Sequence, residues 1–114
     1  MGLYSFNNLV IEKLRLFLQL KCNINAKDDY DDTPFHYACS NSSVDLSTIN
    51  FFITNNCDFY SHNKYGETPA YRVLGNYKLK ANLENHFGKI IKTEEDVIDL
   101  FKNWDYKLDE KEFD

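Results

Sequence analysis

The sequence repeats itself. Thr33-Pro34-Phe35-His36 returns 35 residues later as Thr68-Pro69-Ala70-Tyr71. The same offset pairs Ile24 with Phe59, Tyr30 with Tyr65, Asp31 with Gly66 and Cys22 with Cys57. Upstream it pairs Leu9 with Val44, Ile11 with Leu46, Leu14 with Ile49, Phe17 with Phe52 and Leu18 with Ile53. Apolar character survives at nearly every pair. A period of roughly 20–50 residues marks stacked units, each of which buries on its neighbours a face it cannot bury alone.

The unit has a physical reading. Thr33 is a good N-cap, and Pro34 suits the first helical position, where its missing N–H costs nothing. The pattern predicts a short helix from Thr33 through Phe35, Ala38 and Cys39, with Ser42 and Ser43 ending it or capping the next. A second helix is predicted from about Val44 to Asn55, because Leu46, Ile49, Phe52 and Ile53 form one stripe at spacings of three and four. Asn55-Asn56-Cys57-Asp58 breaks it. Tyr60 to Glu67 is polar and turn-rich, with Gly66 just before the next Thr-Pro.

The stretches INAKDDYDDTPFHYAC and INFFITNNCDFYSHNKYGETPA resemble the ankyrin repeat, whose pattern runs D-x-x-G-x-T-P-L-H-x-A and then L-L-x-x-G-A-D-x-N. Thr33-Pro34-Phe35-His36-Tyr37-Ala38 matches with Phe for Leu; Cys57-Asp58-Phe59 and Ile24-Asn25 match the later step. The resemblance covers about residues 9 to 76. It implies an all-α solenoid of helix–turn–helix units with extended β-turn fingers. It also implies one domain over 1–114: a truncated first repeat at 1–32, a second at 33–67 and a third at 68–114. The first repeat would keep only a stub of its first helix, at Leu3 to Asn8. In the third, Thr93-Glu94-Glu95-Asp96 resembles a capping box. Val97, Ile98, Leu100 and Phe101 resume the second-helix stripe, and Asp105 to Asp109 stands where G-A-D-x-N falls. Matching Ile98 to Ile49 leaves an insertion of 14 residues within 77–92. Its Leu79, Leu83, Phe87 and Ile90 predict a turn or two of helix before Gly88. Two departures stand out. Asp31 replaces the turn glycine, and Asp tolerates the left-handed conformation better than most residues. Tyr71 replaces the histidine, so that histidine's family hydrogen bonds are not expected there. About three units is near the minimum for a stable stack, which leaves self-association through an end open.

Charge and composition narrow the partners. Lys and Arg number 13 against 18 Asp and Glu, a net charge of −5. That disfavours nucleic acid and anionic membranes. Leu14 to Leu20 is short and broken by Arg15 and Gln19, so no membrane span is expected. The start, MGLYSFNNLVIEKL, lacks the basic and apolar regions of a secretory signal. Three cysteines without tight spacing make no disulfide framework. The expected home is therefore intracellular: the cytoplasm, or the host cytoplasm for a virus or intracellular bacterium, where short ankyrin-like proteins also serve as host-interacting factors.

One constellation carries possible chemistry. His36-x2-Cys39 with Cys57-x4-His62 offers zinc ligands, or a thiol with a base. This is the competing reading, a metal-binding or thiol enzyme. It predicts stoichiometric zinc or a fast thiol in the folded protein. Against it, His36 fills the family's histidine slot, and Cys22, Cys39 and Cys57 fill small-residue packing slots. No phosphate loop, dinucleotide fingerprint or catalytic carboxylate pair is present, and no cofactor is expected. Asp28-Asp29-Tyr30-Asp31-Asp32 lacks the glycine and the distal glutamate of a calcium loop.

The main expectation is non-catalytic protein binding. The resemblance implies partner contacts at the turn tips and the exposed face of the first helix. Carried over by position, these are Lys27, Asp29, Tyr30 and Asp32 in one finger and His62, Lys64, Tyr65 and Glu67 in the next, with Tyr37, Ser40, Asn41 and Arg72 on the inner helical face. Tyr is favoured at interface hot spots, and the surrounding acids would steer a basic patch to the face. The plainer alternative is a solvated acidic turn with Tyr30 and Tyr65 packed on it. A small acidic binder of one partner suits a stoichiometric inhibitor that covers a basic site. Reversing Asp29, Asp32 and Glu67 to Lys is expected to weaken binding and its dependence on salt.

Overall fold

The computed structural model describes residues 23–106. The helix stub at 3–8, the pairings through Leu9 to Cys22 and the closing residues Lys107 to Asp109 lie outside them. Five helices follow in order: α1 (Pro34–Ser40), α2 (Leu46–Thr54), α3 (Pro69–Leu74), α4 (Tyr77–Phe87) and α5 (Glu94–Lys102). The fold is all-α, with no strand among the described residues.

The helix starts follow the Thr-Pro signal. Thr33 caps α1 by accepting the His36 N–H at 3.3 Å, and His36 Nδ1 accepts the Thr33 N–H at 3.0 Å. Thr68 caps α3 by accepting the Tyr71 N–H at 3.2 Å. The reciprocal bond of α1 has no counterpart in α3, since Tyr71 stands where a histidine would return it and is exposed. α2 is capped by Asp45, not by Ser42 or Ser43. The Asp45 carboxylate takes both the backbone N–H and the hydroxyl of Thr48 at 3.0 Å. Asp31 (φ 60°) and Gly66 (φ 75°) are left-handed one period apart, as the aspartate substitution predicts.

The segment at 77–92 holds three turns of helix, more than the one or two expected. Asn76 caps α4, and Gly88 (φ 66°) ends it in the left-handed conformation. Leu79 and Leu83, four apart, are both fully buried. α4 lies against α2 and α3. The Asn76 amide also donates to the carbonyls of Cys39 (2.9 Å) and Asn41 (3.0 Å), fixing the start of α4 to the end of α1.

α1 packs chiefly on α3, and α3 on α5. The core draws on all five helices. Phe35 stands at its centre, its ring 5.2 Å from those of both Phe52 and Phe101. The chain after α5 then bridges α2 and α4. Trp104 donates its indole N–H to Asn50 Oδ1 at 2.9 Å and packs on Phe87 at 5.0 Å. Tyr106 packs on His86 at 4.8 Å.

Phe35→Ala removes the ring that α2 and α5 share. The expected loss is about 3–5 kcal/mol, read from urea unfolding. A loss under about 1 kcal/mol would contradict this packing.

Candidate binding face

Two fingers precede α1 and α3, and they are built by the same four hydrogen bonds. In the first, Asp28 Oδ1 accepts the N–H groups of Tyr30 and Asp32, each at 2.9 Å. The backbone closes through Asp28 N–H to Asp32 O and Asp31 N–H to Asp28 O, each at 3.0 Å. In the second, Asn63 Oδ1 accepts from Tyr65 and Glu67, again at 2.9 Å, and the backbone closes through Asn63 to Glu67 O and Gly66 to Asn63 O. Asp28 and Asn63 stand 35 residues apart. A side-chain acceptor with no competing geometry shapes each turn.

The fingers are joined to each other and to the helices. Lys64 N–H donates to Tyr30 O at 2.9 Å. Asn63 Nδ2 donates to Asp32 Oδ1 (2.9 Å) and Glu67 Oε1 (3.0 Å). Arg72 on α3 places Nε 3.1 Å from Glu67 Oε1, Nη2 3.3 Å from Asp32 Oδ1 and Nη1 2.8 Å from Ser40 Oγ on α1. His36 Nε2 meets Glu67 O at 2.8 Å. Because that oxygen can only accept, Nε2 carries the proton and Nδ1 is the acceptor for Thr33.

These bonds correct the expected surface. Asp32, expected at a finger tip, is buried at 7% exposure. Glu67 is half-buried. Asn63 and Arg72 hold both carboxylates in the network between the fingers, Asp32 buried and Glu67 partly exposed. The tips instead present Lys27, Asp29 and Tyr30 in the first finger and His62, Lys64 and Tyr65 in the second, all exposed. Tyr30 and Tyr65 are 56% and 70% exposed, which is not the geometry of rings packed into their own turns. Tyr37 and Ser40 are exposed on α1, and Asn41 and Arg72 are half-buried. Beside them lies an open cleft of about 440 Å³ lined by Ser40, Tyr71, Arg72, Leu74, Gly75 and Asn76. Sequence reasoning missed Asp28 and the buried Asn63, although their pairing at the repeat offset was a usable signal.

The electrostatics follow the same contacts. The Tyr37 hydroxyl donates to Asp28 Oδ2, and this bond holds the Asp28 carboxyl below its usual range. The same bond pushes the Tyr37 phenol up to about 12. The Asn63 amide, then Arg72, lowers Glu67. On α5, the N–H groups of Lys92 and Thr93 lower Asp96. Burial pushes the Cys39 thiol well up and the Cys57 thiol to about 12, so neither is poised as a thiolate. His36 spends both ring nitrogens on Thr33 and Glu67. Among the described residues, His36, Cys39, Cys57 and His62 form no cluster that could hold a metal ion. These four residues are therefore not brought together as a metal site among the described residues.

The lowered carboxyls set an acid limit. Asp28, Glu67 and Asp96 titrate lower folded than unfolded, so their contribution is complete above the ordinary carboxylate range and fades as pH falls below about 4. Tyr37 acts in the other direction: its contribution is complete below about 10 and fades as pH rises toward about 12. Thermal melts across pH should show both flanks, with Asp28→Asn shrinking the alkaline one and leaving the part of the acid one that Glu67 and Asp96 supply. Arg72→Ala leaves Asp32 buried without its cation and should cost about 2 kcal/mol, less than for a fully buried pair because the guanidinium is 25% exposed.

No helix among the described residues is long and apolar enough to cross a membrane. No curated protein matches the chain. Residues 10–53 match the family model described as ankyrin repeats in many copies. Such repeats generally mediate protein–protein interaction and are typically non-catalytic. The match at 10–53, the second Thr-Pro unit at Thr68 and the period-matched fingers are together consistent with an ankyrin-repeat protein.

Proposed function

We propose that this protein binds a partner protein that carries a basic patch, through the tips of its two fingers and the adjoining exposed face of α1 and α3. One observation carries the reading. Tyr30 and Tyr65 stand exposed at equivalent places on two fingers that are hydrogen-bonded to each other, next to the exposed acid Asp29. Each tyrosine offers a large amphipathic surface with few torsions to order on binding. Because the turns are already fixed by Asp28 and Asn63, association need not order them. Asp29 and its neighbours supply the field that draws a cation. A partner whose basic patch is an active site or a nucleic-acid-binding cleft would be blocked one-to-one, as a stoichiometric inhibitor does. A host protein would be met by the same face if the chain acts in a host cell.

The test must avoid Asp32 and Glu67, whose reversal would break the finger network instead of the contact. Wild type, Tyr30→Ala/Tyr65→Ala, Asp29→Lys and the α4 control Asn82→Ala are compared in pull-downs from the native source, with bound proteins identified by mass spectrometry. The double tyrosine variant should lose at least about tenfold in affinity for the captured partner. Asp29→Lys should reduce the salt dependence, and Asn82→Ala should bind as wild type. A partner retained by the tyrosine variant and lost by the control would place the interface elsewhere.

A further inference from the structure

The helix position after the capping-box site holds Tyr37 in α1 and Arg72 in α3, one period apart. Both tie a finger to its helix, by different chemistry. Arg72 uses a guanidinium that grips Glu67 of its own finger and Asp32 of the preceding one. Tyr37 uses one hydroxyl, donated to Asp28 Oδ2. The other oxygen of Asp28 is the acceptor that shapes the turn, holding the N–H groups of Tyr30 and Asp32. The second finger has no such dependence: Asn63 turns its amide toward Asp32 and Glu67, and two side chains share the work.

We propose that Tyr37 is a positioning residue, whose hydroxyl holds finger one in its binding shape by fixing the Asp28 carboxylate. This rests on the finger face being the binding surface. Asp28 is exposed, so water competes for its free oxygen and for the turn bonds. A donor fixed on a helix limits the rotation of the carboxylate and keeps Oδ1 aimed at the two N–H groups. Tyr30 then stays at the tip, where Lys64 N–H meets its carbonyl. The charged groups that face the Tyr37 phenol are Asp28, Asp32 and Arg72. Two of the three are anions, so the phenol is favoured as the donor form. By contrast, a residue that acted only by touching the partner would need the ring and not this bond.

Tyr37→Phe keeps the ring and removes the donor. Tyr37→Arg copies the third unit, offering Asp32 and Asp28 a cation in place of a hydroxyl. Two readouts are taken on the full chain: amide hydrogen exchange at Tyr30 and Asp32, and affinity for an oligoarginine peptide as a basic probe. Tyr37→Phe should exchange about five- to tenfold faster at both amides, with Tyr65 and Glu67 unchanged. Probe affinity should fall several-fold, and Tyr37→Arg should restore protection. Exchange unchanged within twofold in Tyr37→Phe overturns the proposal. Faster exchange with unchanged probe affinity also overturns it, because the bond would then serve the turn and not the face. Faster exchange in a protein whose wild type ignores the probe upholds the hold on the finger and removes the binding-face reading beneath it.

Discussion

Asn63 and Arg72 reach across the boundary between two units, and the shape of the exposed face depends on that reach. Each contacts Asp32 of one finger and Glu67 of the next. Without them, two acidic side chains about one repeat apart would point into water and repel. With them, both carboxylates turn inward, the fingers share one geometry, and the tips present Tyr30 and Tyr65 with Lys27, Asp29, His62 and Lys64. The bond from His36 Nε2 to Glu67 O adds a fixed distance between α1 and the second finger. The identity of the surface is thus decided by which acids are taken out of it.

Apolar burial supplies the driving force but not this register. Phe35, Ile49, Phe52, Leu79, Leu83 and Phe101 are nearly or wholly out of water, and burial of that kind is non-directional. Apolar contact has no preferred partner atom, whereas a buried acceptor needs its donor at one place. Thr33, His36, Asn63 and Asn76 are buried polar groups with such partners at unit boundaries or helix starts. They convert a loose stack of amphipathic helices into one with a defined offset. Trp104 and Tyr106 add an aromatic bridge across α2 and α4.

Local signals were legible and distant ones were not. Thr33-Pro34 and Thr68-Pro69 show their helix starts because N-capping is a matter of four adjacent residues. The left-handed Asp31 was readable from its pairing with Gly66. Asp45 does not stand out as a cap over Ser42 and Ser43, since several good capping residues lie close together there. The full length of α4 is not legible: its apolar stripe is thin, and Asn76 does not stand out as a cap in an Asn-rich chain. The tip residues of the fingers could be placed by period. The inward turn of Asp32 could not, because its cation lies 40 residues on at Arg72. The Tyr37–Asp28 bond was hidden for the same reason, joining a helix face to a turn nine residues earlier.

The most direct test is a chemical-shift titration of the isotope-labelled protein with an oligoarginine peptide, repeated at low and high salt. If the finger face is the binding surface, shifts should cluster at 27–31, 62–66 and the exposed residues of α1 and α3, and should shrink as salt rises. Shifts concentrated on α4 and α5, or none at low salt, would contradict the account.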